Sequence, residues 1–315
     1  MKKILALVLA LVLCLGMTMA QAEAAPIKVA IMVSTVTHGW VGGVAYHADA
    51  YAKELTEAGV IEYKVYTSSN AEEMTTQFDE AKLWGAQALV IAPQWVGMEV
   101  AAQAAIDEGL VVVAFDMDIP AEGIYKVTGD NESMGVAGAE YIVEKIGTTG
   151  KVATIEVPSS GSINELRLKG FMETMAKIAP DVEILHYSAP SFAAEEGMKV
   201  TADILTANPQ LDAIFSEDDE SSIGALQAIA DAGRTDIKAM TGGGGAQAYF
   251  HNIAENQDIW LCTALYSPMM VMDAVSAAVD LLDGKTVEQV MTIPTAIVDR
   301  NNVSEYLDEN TPYYD

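Results

Sequence analysis

The sequence predicts an α/β protein built as two similar doubly wound parallel-sheet lobes, and three observations lead there. From Lys28 onward, short apolar runs rich in β-formers alternate with segments of helical period, the pattern of a parallel sheet covered by helices on both faces. The runs number nine or ten, too many for one flavodoxin-like unit, and 315 residues at about 150 per domain suggest two domains. No Pro-, Gly- or Ser-rich linker separates two halves, so the lobes must be joined by several short crossings. A closed eight-stranded barrel is the alternative, which needs fewer strands than this chain offers.

In chain order, strands are expected at Lys28 to Val33, Tyr63 to Thr67, Ala88 to Ala92, Val111 to Phe115, Lys151 to Val157, Val182 to Tyr187, Ala213 to Phe215, Ile237 to Met240 and Trp260 to Leu265. Each is short, apolar and enriched in branched side chains, and about one helix fills each gap. Asn70 precedes a run with Glu72 and Glu73 in its first turn, the chemistry of a helix N-cap. Gly109 closes a helix that begins near Gly97, and Gly59, Gly147 and Gly233 read as further helix stops.

Residues 1–24 read as an address. Lys2 and Lys3 precede an apolar run from Ile4 to about Met19, and Ala20, Ala22 and Ala24 offer small residues for a signal peptidase. The apolar core is shorter than the roughly 20 residues a membrane-spanning helix needs. The chain is therefore expected outside the cytoplasm, in the periplasm after cleavage. A lipid anchor on Cys14 is the minor alternative, disfavoured because Leu13 stands where a small residue is wanted.

Composition excludes several classes. Lys plus Arg is 17 against 45 Asp plus Glu, a net charge of -28, so the surface repels phosphate backbones and no nucleic-acid partner is expected. Cleavage leaves Cys262 as a lone cysteine, and no Cys/His spacing matches zinc. Neither a metal nor another cofactor is expected. The acidic cluster Glu217 to Glu220 lacks the spaced ligands and the glycine of a calcium loop, and suits a helix start. Gly284-Lys285-Thr286 lacks the first Walker glycine, since Val279 stands there; the four glycines from Gly242 fail the dinucleotide pattern; GxSxG and HExxH are absent. The chain is not expected to be an enzyme. The three neighbouring methionines Met269, Met270 and Met272 read as core filler.

Ligands of open parallel sheets sit at the carboxyl ends of strands. Those positions hold Thr35, Thr37, His38 and Trp40; Asp116; Ser159, Ser160, Asn164 and Glu165; Ser216 to Asp219; Thr241 with its four glycines; and Tyr266. Carboxylates, rings and small hydroxyls together suit a polyhydroxyl ligand, whose hydroxyls donate to the acids while its C–H faces pack on rings. An Asp at a strand end also serves as a helix N-cap, and for each position that role stands beside the binding one.

Six segments in order, VAIMVSTVTHGW, VVVAFDMDIP, VTGDNESMGVAGAEYI, RLKGF, ILTANPQLDAIFSEDDESSIGAL and PTAIVDRNNV, resemble the ribose-binding-protein-like periplasmic substrate-binding proteins of ABC sugar importers. The resemblance spans essentially the whole mature chain. It implies a periplasmic binding protein type I, or Venus-flytrap, with three hinge crossings near Gly129, Tyr266 and Pro294. The first lobe would take 27–128 plus 267–291, and the second 129–266 plus 292–315. The implied partners are a simple sugar or sugar alcohol and a membrane permease, with the chain a monomer. A secreted sensor feeding a chemoreceptor or sensor kinase is the alternative.

Carried over by position, the resemblance assigns ring stacking to Trp40 and Phe192 and the strand-end carboxylate to Asp116. His38, Met117, Glu165, Asp218, Gly244 and Tyr266 fall at further binding positions, and Arg167 at one more often structural. Met117 and Glu165 replace cationic donors and Gly244 replaces a carboxylate, so ribose itself fits poorly. Asp116, Glu165 and Asp218 in one cleft would raise one another's pKa unless the ligand brings donors or positive charge. The expected guest is a polyol, a neutral sugar or an amino-bearing ligand. Whether Trp95 or Gln247 reaches it is open at this level.

Overall fold

The computed structural model describes residues 25–308 and 311. The segment expected to be a signal, residues 1–24 with Cys14, lies outside the described residues.

The chain forms two six-stranded sheets of the same pattern. The first contains β1 (Ile27–Ser34), β2 (Ile61–Ser68), β3 (Ala88–Ile91), β4 (Val111–Phe115), β5 (Tyr125–Gly129) and β11 (Val290–Ile293), ordered β2-β1-β3-β4-β5-β11 and parallel throughout. The second contains β6 (Thr149–Glu156), β7 (Asp181–Ser188), β8 (Ala213–Ser216), β9 (Ala239–Gly244), β10 (Trp260–Leu265) and β12 (Ile297–Asp299), ordered β7-β6-β8-β9-β10-β12. Only its β10–β12 pair is antiparallel. Two open sheets exclude the barrel alternative.

The chain passes from the first sheet to the second after β5, returns after β10, and crosses again between β11 and β12. Each sheet thus takes its sixth strand from a segment that follows a crossing. Gly129 ends β5 and Ile293 ends β11, so both belong to the first sheet.

The helices are α1 (Gly39–Glu57), α2 (Ala71–Trp84), α3 (Met98–Asp107), α4 (Asn131–Ile146), α5 (Ser162–Ile178), α6 (Ala194–Ala207), α7 (Asp219–Asp231), α8 (Gln247–Glu255) and α9 (Met270–Leu282). Asn70 caps α2 by accepting from the Glu73 N–H at 2.9 Å, while Glu73 accepts from the Ser69 N–H at 2.7 Å. This reciprocal arrangement satisfies donors that the first turn leaves free.

Central strands are buried on both faces, as β1 and β3 show: Val29 to Val33 and Ala88 to Ile91 are almost fully enclosed. In the second lobe α4 and α5 cross at Gly135 and Gly170, where a β-carbon would meet the Arg167 and Glu132 carbonyl oxygens at 2.0 and 2.1 Å. Cys262 is buried on β10 as a free thiol.

Three strands lie outside the expected set. β5 (YKVTG) is too polar, and β11 and β12 too short, to stand out as apolar runs. β9 also runs past Met240 to Gly244, because its glycines are strand and not loop. A β-carbon on Gly243 would lie 2.4 Å from the Glu217 carbonyl oxygen, so the neighbouring chain requires glycine there.

Candidate functional site

The carboxyl ends of both sheets face a common cavity of about 190 Å³. It receives Thr37, His38 and Trp40 after β1, Gln94 after β3, and Asp116 and Met117 after β4. From the second lobe come Ser159 and Ser160 after β6, Ser191 and Phe192 after β7, Asp218 after β8, Gly243 and Gly244 at the end of β9, and Tyr266 after β10.

Eight of the nine sequence-assigned residues meet here: His38, Trp40, Asp116, Met117, Phe192, Asp218, Gly244 and Tyr266. Glu165 does not, and its assignment is corrected. It lies in the first turn of α5, where Ile163, Asn164 and Arg167 take the inward positions, and the helical period turns Glu165 to solvent. Arg167 lines the cavity instead. Trp95 packs half-buried against the first-lobe core, and Gln247 binds the C-terminal segment through the Tyr306 carbonyl and the Asp308 N–H.

Asp116 is held in an unusual backbone state. Its φ of 70° makes it the non-glycine residue found in the left-handed region among the described residues, a conformation aspartate tolerates better than most side chains. Its N–H donates to the Val127 carbonyl at 2.9 Å and its own carbonyl accepts from Thr128 Oγ1 at 3.0 Å, so β5 fixes the turn. The Tyr266 hydroxyl donates to Asp116 Oδ1 at 2.8 Å. Burial pushes the Asp116 carboxyl up to about 6, against the opposing pull of Tyr266 and Arg167.

Asp218 performs two tasks. Its Oδ1 accepts from the Glu220 and Ser221 N–H groups at 2.8 and 3.2 Å and caps α7, while its side chain lines the cavity. Burial first, then the neighbouring Asp219 and Glu220, raises its pKa well above the ordinary aspartate value. Asp219 faces the other way: its Oδ2 accepts from the Gly245 and Ala246 N–H groups at 2.7 Å and anchors the turn after β9 that forms one cavity wall.

Arg167 is the cation at the centre of this acid group. Its Nε donates to Asn131 Oδ1 at 2.8 Å, its Nη1 to the Glu217 carbonyl at 2.7 Å, and its guanidinium sits 4.7 Å from the Tyr266 ring centre. Two of its five N–H donors are thus engaged by the protein, and its face by the Tyr266 ring. Burial lowers His38 to about 4, so its imidazole is neutral at physiological pH.

The rings form two walls. Trp40 and Tyr266 lie 5.6 Å apart, and Trp40 Nε1 donates to the Tyr266 carbonyl at 2.8 Å. His38 and Phe192 meet edge to face at 6.3 Å. Aromatic surface, buried carboxyls, serine hydroxyls and a neutral imidazole suit an uncharged guest with many hydroxyl donors. Gln94 and Ser191 were missed as site residues in the sequence, although Gln94 stands just past a strand end; Thr37, Ser159 and Ser160 were noted there only as strand-end positions.

The Periplasmic binding protein domain family model matches residues 29–286. The chain belongs to that family. Among curated relatives of this periplasmic binding protein domain, the ribose import binding protein RbsB of Bacillus subtilis is 26% identical over 246 residues, 77% of this chain and 78% of the relative. The xylitol-binding protein of Mycolicibacterium smegmatis is 28% identical over 229 residues, 70% and 62% of the two chains. Among solved structures, an ABC transporter solute binding protein of Bacillus halodurans with bound myo-inositol aligns at TM-score 0.81 and 18% identity, covering 90% of this chain and 99% of that one. An ABC transporter periplasmic solute binding protein of Actinobacillus succinogenes with bound D-allose aligns at TM-score 0.79 and 23% identity, covering 89% and 100%. These neighbours share the two-lobed fold.

Proposed function

We propose that this chain is the extracytoplasmic substrate-binding protein of an ABC importer, exported by its signal segment, which captures a simple sugar or sugar alcohol and presents it to a membrane permease. The observation that carries the reading is the composition of the cavity between the lobes: Trp40 and Phe192 as rings, Asp116 and Asp218 as buried acceptors. Its volume of about 190 Å³ suits a single small ring or a short polyol, given that an apolar cavity of about 150 Å³ holds benzene.

His38, Met117, Gly244 and Tyr266 complete the ligand contacts in this proposal. The carboxyls accept ligand hydroxyls, and charge-assisted bonds of this kind contribute roughly 1.5 to 3 kcal/mol each. No bond is made or broken; the ligand contacts both lobes and therefore shifts the population toward the closed form. The crossings near Gly129, Tyr266 and Pro294 carry the hinge motion. Arg167 donates to Asn131 and to the Glu217 carbonyl, and among the described residues that line the cavity its charge is set against the carboxyls of Asp116 and Asp218. The relatives named for ribose and xylitol support the ligand class.

The test is a thermal-shift screen against pentoses, hexoses, sugar alcohols and amino sugars. A ligand at 100 times its dissociation constant adds about 2.7 kcal/mol of stability. Stabilisation by neutral polyols or sugars supports the proposal; a response confined to sugar acids or phosphosugars overturns it.

A further inference from the structure

Away from the three crossings the lobes also touch directly. The Gly39 N–H, at the start of α1 in the first lobe, donates to Glu220 Oε1, in the first turn of α7 in the second, at 2.5 Å. At another point the Asp118 N–H donates to Ser162 Oγ at 3.4 Å.

The two helices differ sharply in how their own sequence serves their N-termini. α7 has Asp218 as a capping side chain, with Asp219 and Glu220 in its first turn. α1 has neither device: His38 occupies the N-cap position without a side-chain bond, and no acid lies in the first turn. Its free N–H groups and the positive end of its dipole therefore lack a local partner. Glu220 supplies one from the opposite lobe. The carboxylate also stands in the first turn of its own helix, so one negative charge serves two helix ends that would otherwise repel each other.

Glu220 is half-buried and does not line the cavity. Its backbone N–H is bonded to Asp218 Oδ1, so its position is tied to a residue that does. We propose that Glu220 is a positioning residue for ligand capture: it holds the closed arrangement by capping a helix of the other lobe, and so sets how long a ligand stays without touching it. The proposal rests on the two-lobed capture mechanism. Opening the lobes parts Glu220 from Gly39 and returns the α1 N-terminus to water.

The experiment compares wild type, Glu220→Ala and Glu220→Gln by small-angle X-ray scattering without added sugar, and by stopped-flow dissociation with D-ribose, D-allose, xylitol and myo-inositol as probes. Loss of one N-cap contact changes an equilibrium roughly fivefold. Glu220→Ala is expected to lower the closed fraction in the absence of sugar and to raise the dissociation rate by about that factor, with association unchanged. Glu220→Gln, which keeps an acceptor oxygen without the charge, falls between, and decides the matter if the alanine variant does not fold. A closed fraction and dissociation rate equal to wild type in a folded variant overturn the proposal. If none of the four probes binds, the ligand reading fails for them, and the sugar-free scattering still decides whether Glu220 holds the lobes together.

Discussion

Asp116 should weaken the fold that it equips for binding, and Asp116→Asn tests this with little geometric disturbance. Asparagine tolerates the left-handed φ of 70° as well as aspartate does, and its amide oxygen can still accept from the Tyr266 hydroxyl. Arg167 keeps Asn131, the Glu217 carbonyl and the Tyr266 ring, so its partners do not depend on Asp116. The carboxyl's pKa is about 6 in the folded protein against an ordinary value of 3.8. The folded state thus binds more protons than the unfolded state between those values, and stability falls as pH rises through that window. Above it, keeping the group ionised costs about 3 kcal/mol.

Asparagine removes that cost and introduces amide N–H groups, one of which lacks a partner, at about 1 kcal/mol. The variant is therefore expected to be about 2 kcal/mol more stable than wild type near pH 8 and slightly less stable near pH 4, where the ionisation cost is gone and the unpartnered N–H remains. Ligand affinity moves the opposite way, falling by about 2 kcal/mol as a charge-assisted acceptor is lost. Urea unfolding at both pH values, with and without the best sugar from the screen, reads all three quantities. A variant less stable than wild type at pH 8, or one with undiminished ligand stabilisation, refutes the reasoning.

In wild type, ligand binding favours the ionised Asp116, so titration calorimetry should show affinity rising through about pH 6 to a plateau; a flat profile from pH 5 to 8 counts against the assignment. Trp40→Phe keeps a ring but strands the Tyr266 carbonyl, and should weaken ligand binding by about 1 to 2 kcal/mol in the same assay. Gly170→Ala forces a methyl against the Glu132 carbonyl at the α4–α5 crossing, and should lower stability by at least about 2 kcal/mol in denaturant titration. Asn70→Ala removes the α2 cap and should lower stability by about 1 kcal/mol while leaving ligand affinity unchanged.

Much of the fold was legible because buried parallel strands leave a strong local signature. β4 and β10 were read with their observed limits, and the other apolar strands to within a few residues at each end. What escaped was the part set by tertiary pairing. β12 is three residues long and acquires its identity only against β10; β11 exists because β5 offers it an edge. The glycines of β9 looked like a loop because sequence does not show which neighbour presses on them.

The site divides similarly. Strand-end logic pointed to Asp116, Asp218 and Tyr266, and positional resemblance added Phe192. Glu165 failed because its side of α5 depends on where the helix begins: the 3-10 turn from Pro158 to Ser160 sets the phase, and Arg167 turns inward. The Arg167 side chain, suspected of a supporting role, both lines the cavity and is bonded on two sides.

The exchange of the last strands constrains how the molecule can be made. The N-terminal half emerges first from the ribosome, yet its sheet lacks an edge strand and the helix α9 on one face until β11 has been synthesised. Neither half is complete as a contiguous stretch of nascent polypeptide. Completion of one sheet is thereby coupled to completion of the other, since each waits for a strand delivered by a later passage of the backbone between them.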